Sequence, residues 1–356
     1  MIGEDIRKNG NEVKIVLLWK DKGTATYLGV DLGGTKLLVG EMTLDGRLLY
    51  TKKYPTGPLS QSEALEVICR SVEDFLKTVR PEDTPMPVGM GVGLVGRIDS
   101  RRGIWMEIDS GRAEQLPVGE LLSQRFGLPC FVDNDVRSAA KAEMLFGRGK
   151  QSDSLIYINV GTGIAAGITV GGRTLSGSHC NAGEVGHMVS GISLRVPCSC
   201  GRMDCAEPVA SGAGFDKCAR ALAGQYPDTG LHIPEDGSRV RAEDIFALYG
   251  TDPLCTLLTD NAAQVIANLV MNMVRTLDPD TVVLGGGVMS DGFLYPHVVN
   301  RIDPYTVRFV TNGIVLTQLD AARIGLMGAC SNAIEGLRQI QNQEERYEGY
   351  HCKQRA

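Results

Sequence analysis

Three cysteines and a histidine carry the most specific chemical signal in the chain. His187 is followed by Cys198-Ser-Cys200-Gly-Arg-Met-Asp-Cys205. Three thiolates and one imidazole make a closed tetrahedral Cys3His site, the kind that holds a structural zinc ion. Cys198 and Cys200 flank a single residue, and Gly201 frees the backbone to fold around a metal. Three buried free thiols are the plainer alternative, and their crowding within eight residues argues against it. Four protein ligands leave no open position, so such a metal shapes the loop 187–207 and does no chemistry itself. Glu184 precedes this segment and Glu207 follows it. Two carboxylates and a metal-held histidine can grip several sugar hydroxyls, because each buried hydroxyl left unpaired costs about 1–3 kcal/mol. If His187 gives the metal one ring nitrogen, its other nitrogen can face the sugar. Without the zinc cluster beside them, both glutamates would read as solvated loop residues.

Two glycine turns follow apolar runs. The first is Asp31-Leu-Gly33-Gly34-Thr35-Lys36 and the second is Gly161-Thr162-Gly163. Glycines let backbone amides approach a phosphate, Thr35 adds a hydroxyl, and Asp31 at a strand end can orient hydrated Mg²⁺. A plain hairpin turn gives the same pattern. Gly285-Gly286-Gly287 follows a third apolar run and can lie flat against a purine; a strand-to-helix turn needing positive φ is the alternative. Val132-Asp133-Asn134-Asp135 places a carboxylate where a strand gives way to a helix, which the backbone dipole favours. Either Asp133 or Asn134 merely caps that helix, or Asp135 takes a proton from a sugar hydroxyl as it attacks the γ-phosphate. Phosphoryl transfer asks little of a protein beyond positioning and charge neutralisation.

The elements that must position these residues have a repeated layout. Residues 25–40 and 154–170 each read as strand, glycine turn, strand, which suggests an internally duplicated α/β fold with a cleft between the halves. Residues 61–79 have helical spacing with Ser60 or Ser62 as cap. Residues 88–94, 130–133 and 281–284 read as strands. Residues 134–146, 254–277 (ended by Asp278-Pro279) and 321–342 read as helices. The tail from Gln343 is polar and expected to fray. Residues 1–24 hold one short apolar run, 13–19, too short to span a bilayer and unlike a signal peptide; an edge strand or a short extension is expected there. The resulting division is a small α/β lobe of residues 25–134 plus 331–345, and a large lobe of residues 135–330.

The chain has 356 residues, a net charge of −6 and ten cysteines, seven of them scattered singly. The acidity argues against general nucleic-acid binding. The dispersed thiols, with no secretory signal, suggest a reducing cytoplasm. No membrane partner is expected.

Taken together these motifs resemble the ROK family of sugar kinases and sugar-responsive repressors, over about residues 27–333. Residues 28–36 are similar to its first phosphate motif, Asp133-Asn134-Asp135 with Glu143 to its catalytic segment, and 161–187 to its second phosphate motif and sugar signature. Cys198-x-Cys200-Gly-x-x-x-Cys205-x-Glu207 is similar to its zinc motif. The resemblance implies an actin-like, ribonuclease-H-like ATPase fold with ATP and sugar in a cleft, Asp135 as base, and a dimer or tetramer. Four departures stand out. Val95 takes the place of the family's proline before Gly96. Asp204 takes the place of a glycine, and Ala165-Ala166 that of a glycine pair. Residues 108–113 replace the loop usual in the glucose kinases. Gly96-Arg97 resembles the N-acetylmannosamine kinases, where this pair lies against the substrate, and an arginine there offers donors to an acetyl carbonyl. Alternatively Arg97 belongs to a basic surface turn with Arg101 and Arg102.

The expected activity is therefore ATP-dependent phosphorylation of a hexose or N-acetylhexosamine at the 6-hydroxyl. The alternatives are a plain glucokinase and a sugar-responsive regulator without catalysis. A DNA-binding repressor needs a helix-turn-helix ahead of this body, which residues 1–24 do not resemble.

Overall fold

The computed structural model describes residues 25–34, 36–109 and 111–353, with side chains in the last helix to residue 345. The extension 1–24, Thr35 of the first glycine turn and Ser110 of the loop 108–113 lie outside the described residues. The chain divides into two compact units. One holds the chain up to Leu145, Ser178–Cys180 and the segment from Arg323; the other holds Phe146–Gly177 and Asn181–Ala322.

In the first unit β1 (Thr26–Leu32), β2 (Lys36–Thr43) and β3 (Leu48–Pro55) form an antiparallel meander. Helix α1 (Gln61–Thr78) follows, and of the two serines expected as its cap it is Ser60 that closes a capping box with Glu63. β4 (Gly89–Leu94) returns parallel to β1. A small hairpin of β5 (Arg97–Asp99) and β6 (Ile104–Glu107) comes next, then α2 (Val118–Phe126). β7 (Cys130–Asn134) completes the sheet, parallel to β4, and runs directly into α3 (Asp135–Phe146).

The second unit repeats the plan. β8 (Leu155–Val160), β9 (Ile164–Val170) and β10 (Arg173–Thr174) are antiparallel. They are followed by α4 (Glu207–Ala210), α5 (Gly212–Leu222), α6 (Ala242–Ala247) and α7 (Pro253–Leu277). β11 (Thr281–Gly285) joins parallel to β8; α8 (Leu294–Val299) leads to β12 (Ile314–Leu316), parallel to β11. The sheet orders are β3-β2-β1-β4-β7 and β10-β9-β8-β11-β12, one topology used twice. The repeat of strand, glycine turn and strand read from the sequence is thus the start of each sheet. α7 is long and apolar enough to cross a membrane, but most of that stretch is buried. Its Leu258, Ile266 and Val270 belong to the core of the second unit.

The last helix, α9 (Ile324–Lys353), lies on the first sheet against β1 and β4. Alternation along β4 sorts Met90, Val92 and Leu94 into the core with Ile68, Val72 and Phe75 of α1, and leaves the glycines to the opposite face. A Cβ on Gly91 would overlap the Ala329 carbonyl oxygen of α9, so the helix backbone sits almost on the strand. The tail from Gln343, expected to fray, stays helical to Lys353. Its Gln and Glu residues favour helix, and Gln341 donates to Glu345 one turn on, at 2.9 Å.

Gly91→Ala should therefore lower stability by about 1–3 kcal/mol, the usual cost of overpacking. The check is urea denaturation beside Gly224→Ala, where an added Cβ meets nothing within 4 Å. Equal midpoints for the two variants would contradict the packing described.

Candidate functional site

The site residues of the first unit gather at the carboxyl ends of β1, β4 and β7. A Cβ on Gly93 would lie 3.7 Å from Oδ1 of Asp31 and 3.9 Å from Cα of Asp135. Gly93, part of the Gly91-Val-Gly-Leu-Val95-Gly96 stretch but given no role of its own from sequence, thus separates the two aspartates. The glycine turn between β1 and β2 is closed by the Gly33 amide on the Lys36 carbonyl at 2.9 Å. The Asp31 carboxylate packs against Gly325 in the first turn of α9. Burial pushes the Asp31 carboxyl up to about 6, partly offset by the Lys36 charge.

Asn134 caps α3: its Oδ1 accepts from the amides of Val136 at 3.0 Å and Arg137 at 3.1 Å, and its Nδ2 donates to the Gly96 carbonyl at 3.0 Å. Gly96 sits at φ +87, with no room for a side chain against Glu107 and Ile108. Asp135 follows as the first helical residue, its Oδ1 accepting from the Val136 amide at 2.9 Å.

Beneath them Asp133 is buried between two cations, Arg137 Nε at 2.7 Å and Lys141 Nζ at 2.8 Å. Burial works against ionisation of Asp133, but the charges and hydrogen bonds of Lys141 and Arg137 hold its carboxyl below the usual carboxylate range. Arg97 is paired side-on with Glu107, through Nε at 2.9 Å and Nη2 at 3.2 Å, and its Nη1 donates to the His179 carbonyl at 3.4 Å. Asp109 accepts from the Gly111 amide and from Arg112 Nε, each at 2.9 Å.

In the second unit Nδ1 of His187 lies 3.3 Å from the Cys198 sulfur, and the sulfurs of Cys200 and Cys205 are 3.6 Å apart. All four ligand atoms fall within 4.8 Å of one another. Zn–S bonds of about 2.3 Å and Zn–N bonds of about 2.0 Å in a tetrahedron put ligands about 3.5–3.8 Å apart, so the set fits zinc. Asp204, which stands where the family has glycine, adopts the left-handed φ of +55 that glycine would serve. Its carboxylate accepts from the Ser193 hydroxyl at 2.9 Å and from the amides of Leu194 and Val196, so the replacement also braces the loop. The Cys200 thiol is drawn down to about 6 by the Arg202 amide and guanidinium, while burial pushes the Cys205 thiol up to about 12. Nε2 of His187 points away from the cluster, 3.9 Å from a Glu184 carboxylate oxygen.

The turn Gly161-Thr162-Gly163 is built into the start of α5. The amides of Gly212 and Ala213 donate to the carbonyls of Gly161 and Thr162, at 2.8 and 3.2 Å. Glu207 reaches back to accept from the Ile164 amide at 3.0 Å, and its carboxylate lies 2.5 Å from where a Cβ on Gly163 would be. Gly286 sits at φ +92 with its Cα face against the Val160 backbone, which leaves no room for a side chain. Glu207, the Gly161–Gly163 turn and the Gly285–Gly287 segment are therefore neighbours in this unit.

The profile of the ROK family matches residues 27–335. A glucokinase of Halalkalibacterium halodurans is 28% identical over 326 residues, 90% of this chain and 97% of that protein. A xylose repressor of Caldicellulosiruptor bescii is 27% identical over 285 residues, 79% of this chain and 70% of that protein. The crystal structure of a ROK family glucokinase from Streptomyces griseus, in complex with glucose and AMPPNP, superposes with a TM-score of 0.68 at 27% identity, covering 87% of this chain and all (100%) of that one. With a family match over most of its length and the same sheet plan twice over, this chain belongs to the ROK family and has its actin-like fold.

Proposed function

We propose that the protein is an ATP-dependent kinase that phosphorylates a hexose or N-acetylhexosamine at the 6-hydroxyl, with Asp135 as general base. The observation that carries this is the arrangement at Gly93. Asp135 stands at the start of α3, oriented by the Asn134 cap, with the Asp31 carboxylate on the other side of one glycine. A carboxylate at a helix start beside a second one at a glycine turn suits a proton acceptor next to a cation ligand. Asp31, with Gly33, Gly34, Thr35 and Lys36, is assigned to the cation and phosphates; Gly161–Gly163 and Gly285–Gly287 are assigned to nucleotide binding. Glu184, His187, Glu207, Asn134 and Gly96 are assigned to the sugar. Asp31 would hold Mg²⁺, which when bound would supply charge neutralisation for the triphosphate, and His187, Cys198, Cys200 and Cys205 would hold a zinc ion that would fix the His187 ring.

A coupled ADP-release screen over glucose, mannose, allose, fructose, N-acetylglucosamine and N-acetylmannosamine tests the proposal. The unmodified protein should turn over at least one of them, and Asp135→Asn should bind that sugar within a few-fold while kcat falls roughly 10²–10⁴-fold. Near-normal turnover by the variant, or no ADP release with any sugar, would overturn it. Arg97, which the resemblance places against the substrate, donates here to Glu107 and to the His179 carbonyl.

Elemental analysis should find one zinc per chain. Cys200→Ala should lose the metal and raise the sugar KM, since three remaining ligands hold zinc poorly and His187 loses its anchor. A zinc-free protein with an unchanged sugar KM would show that the metal does not organise the site.

The raised pKa of Asp31 gives a pH dependence. Folded Asp31 holds its proton more tightly than unfolded Asp31, so its contribution to stability falls as pH rises from 3.8 to about 6 and is constant above. Cation binding needs the ionised form, so affinity for Mg-ADP should weaken as pH drops through about 6. Calorimetric titration between pH 5 and 8 should show this slope in the unmodified protein and not in Asp31→Asn. Identical slopes would remove Asp31 from that role.

A further inference from the structure

Ser178–Cys180 belong to the first unit although the chain on both sides of them belongs to the second. Two guanidinium groups hold this segment by consecutive carbonyls. Arg97 Nη1 donates to His179 at 3.4 Å and Arg137 Nη1 donates to Cys180 at 3.2 Å. Each arginine is itself fixed by a carboxylate, Arg97 by both oxygens of Glu107 and Arg137 by the buried Asp133. Arg137 also donates through Nη2 to the Ile98 carbonyl at 2.9 Å, which ties it to the strand that begins at Arg97. The segment ends in a strained residue: Cys180 is at φ +60, a conformation that a residue with a side chain keeps only where its surroundings impose it.

We propose that Arg97 and Arg137 are positioning residues for the sugar site, a two-arginine clamp that fixes the backbone at His179–Cys180. This rests on the assignment of Glu184 and His187 to the sugar, because the chain passes from Cys180 to Glu184 through only Asn181, Ala182 and Gly183. A carboxylate that must meet a hydroxyl within a few tenths of an ångström gains from a fixed point so close in the chain. Arginine suits the task because its planar fork can satisfy a carboxylate and a carbonyl together, which the single ammonium of lysine cannot do in the same geometry. The clamp also reaches the catalytic side of the first unit. Arg137 lies in the first turn of the helix that Asp135 opens, and Asn134 holds the Gly96 carbonyl just before Arg97.

The test uses Arg97→Met and Arg97→Lys in the full chain, with whichever sugar gives ADP release. Both variants should raise the sugar KM about tenfold with the ATP KM within twofold, and amide exchange at residues 179–182 should speed up. Arg97→Lys should keep the melting temperature through its charge on Glu107 yet fail to restore the sugar KM. The clamp is overturned if Arg97→Lys restores the KM, if sugar and ATP KM rise together, or if the sugar KM rises with exchange at 179–182 unchanged, which would mark direct contact between Arg97 and sugar. An unchanged sugar KM in both variants overturns it as well. In each case loss of activity in Asp135→Asn still stands, so failure of the clamp is distinguishable from failure of the kinase assignment.

Discussion

A carboxylate taken out of water must be compensated, and in the first unit that demand organises the ground under the proposed chemistry. Asp133 is almost wholly buried at the end of β7, and Arg137 and Lys141 answer it from the first and second turns of α3. Removing one partner from a buried ion pair typically costs about 3–5 kcal/mol, because the charge left behind has no solvent. The pairing therefore locks the direction in which α3 leaves the strand, and Asp135 opens that helix. Arg137 has donors to spare, and they go to the Ile98 and Cys180 carbonyls. Lys141 also meets Asn332 of α9, at 2.9 Å, so the same charge cluster joins the last helix to the sheet.

The second constraint is close packing. Strands β1 and β4 present glycines toward α9, and the helix lies so near that Gly91 has room for no side chain. Asp31 sits on that face, against Gly325, which is why its carboxyl is pushed upward in pKa while remaining at the mouth of the glycine turn. In the second unit α5 does a comparable service for the Gly161–Gly163 turn, with its first amides on the turn's carbonyls. Each glycine turn is thus held by a helix distant from it in sequence.

That distance explains what the sequence could and could not disclose. The cluster of His187 and three cysteines was legible because its spacing is local and such side chains have few other uses in such density. The duplicated start of each sheet was legible because apolar run, glycine turn and apolar run are all neighbours in the chain. Strands β3 and β12 were not, since β3 alternates only between half-buried and exposed positions and β12 is three half-buried residues. Arg137 and Lys141 sit four and eight residues after Asp133, a helical spacing visible in principle, but nothing in the sequence says that Asp133 is buried. The partners of Arg97 were hidden for the same reason: Glu107 faces it across a two-strand register, and His179 arrives from 82 positions along the chain. Asp204 seemed a departure from the family's glycine and proves to do the same backbone work with added hydrogen bonds.

The central claim is that this protein moves a phosphoryl group to the 6-hydroxyl of a sugar. The most direct test is ³¹P nuclear magnetic resonance of the products formed from ATP and a sugar labelled with ¹³C at carbon 6. The account predicts a new phosphomonoester signal split by coupling to that carbon. A phosphomonoester without the coupling, or ATP left intact beside a sugar that binds, would contradict it.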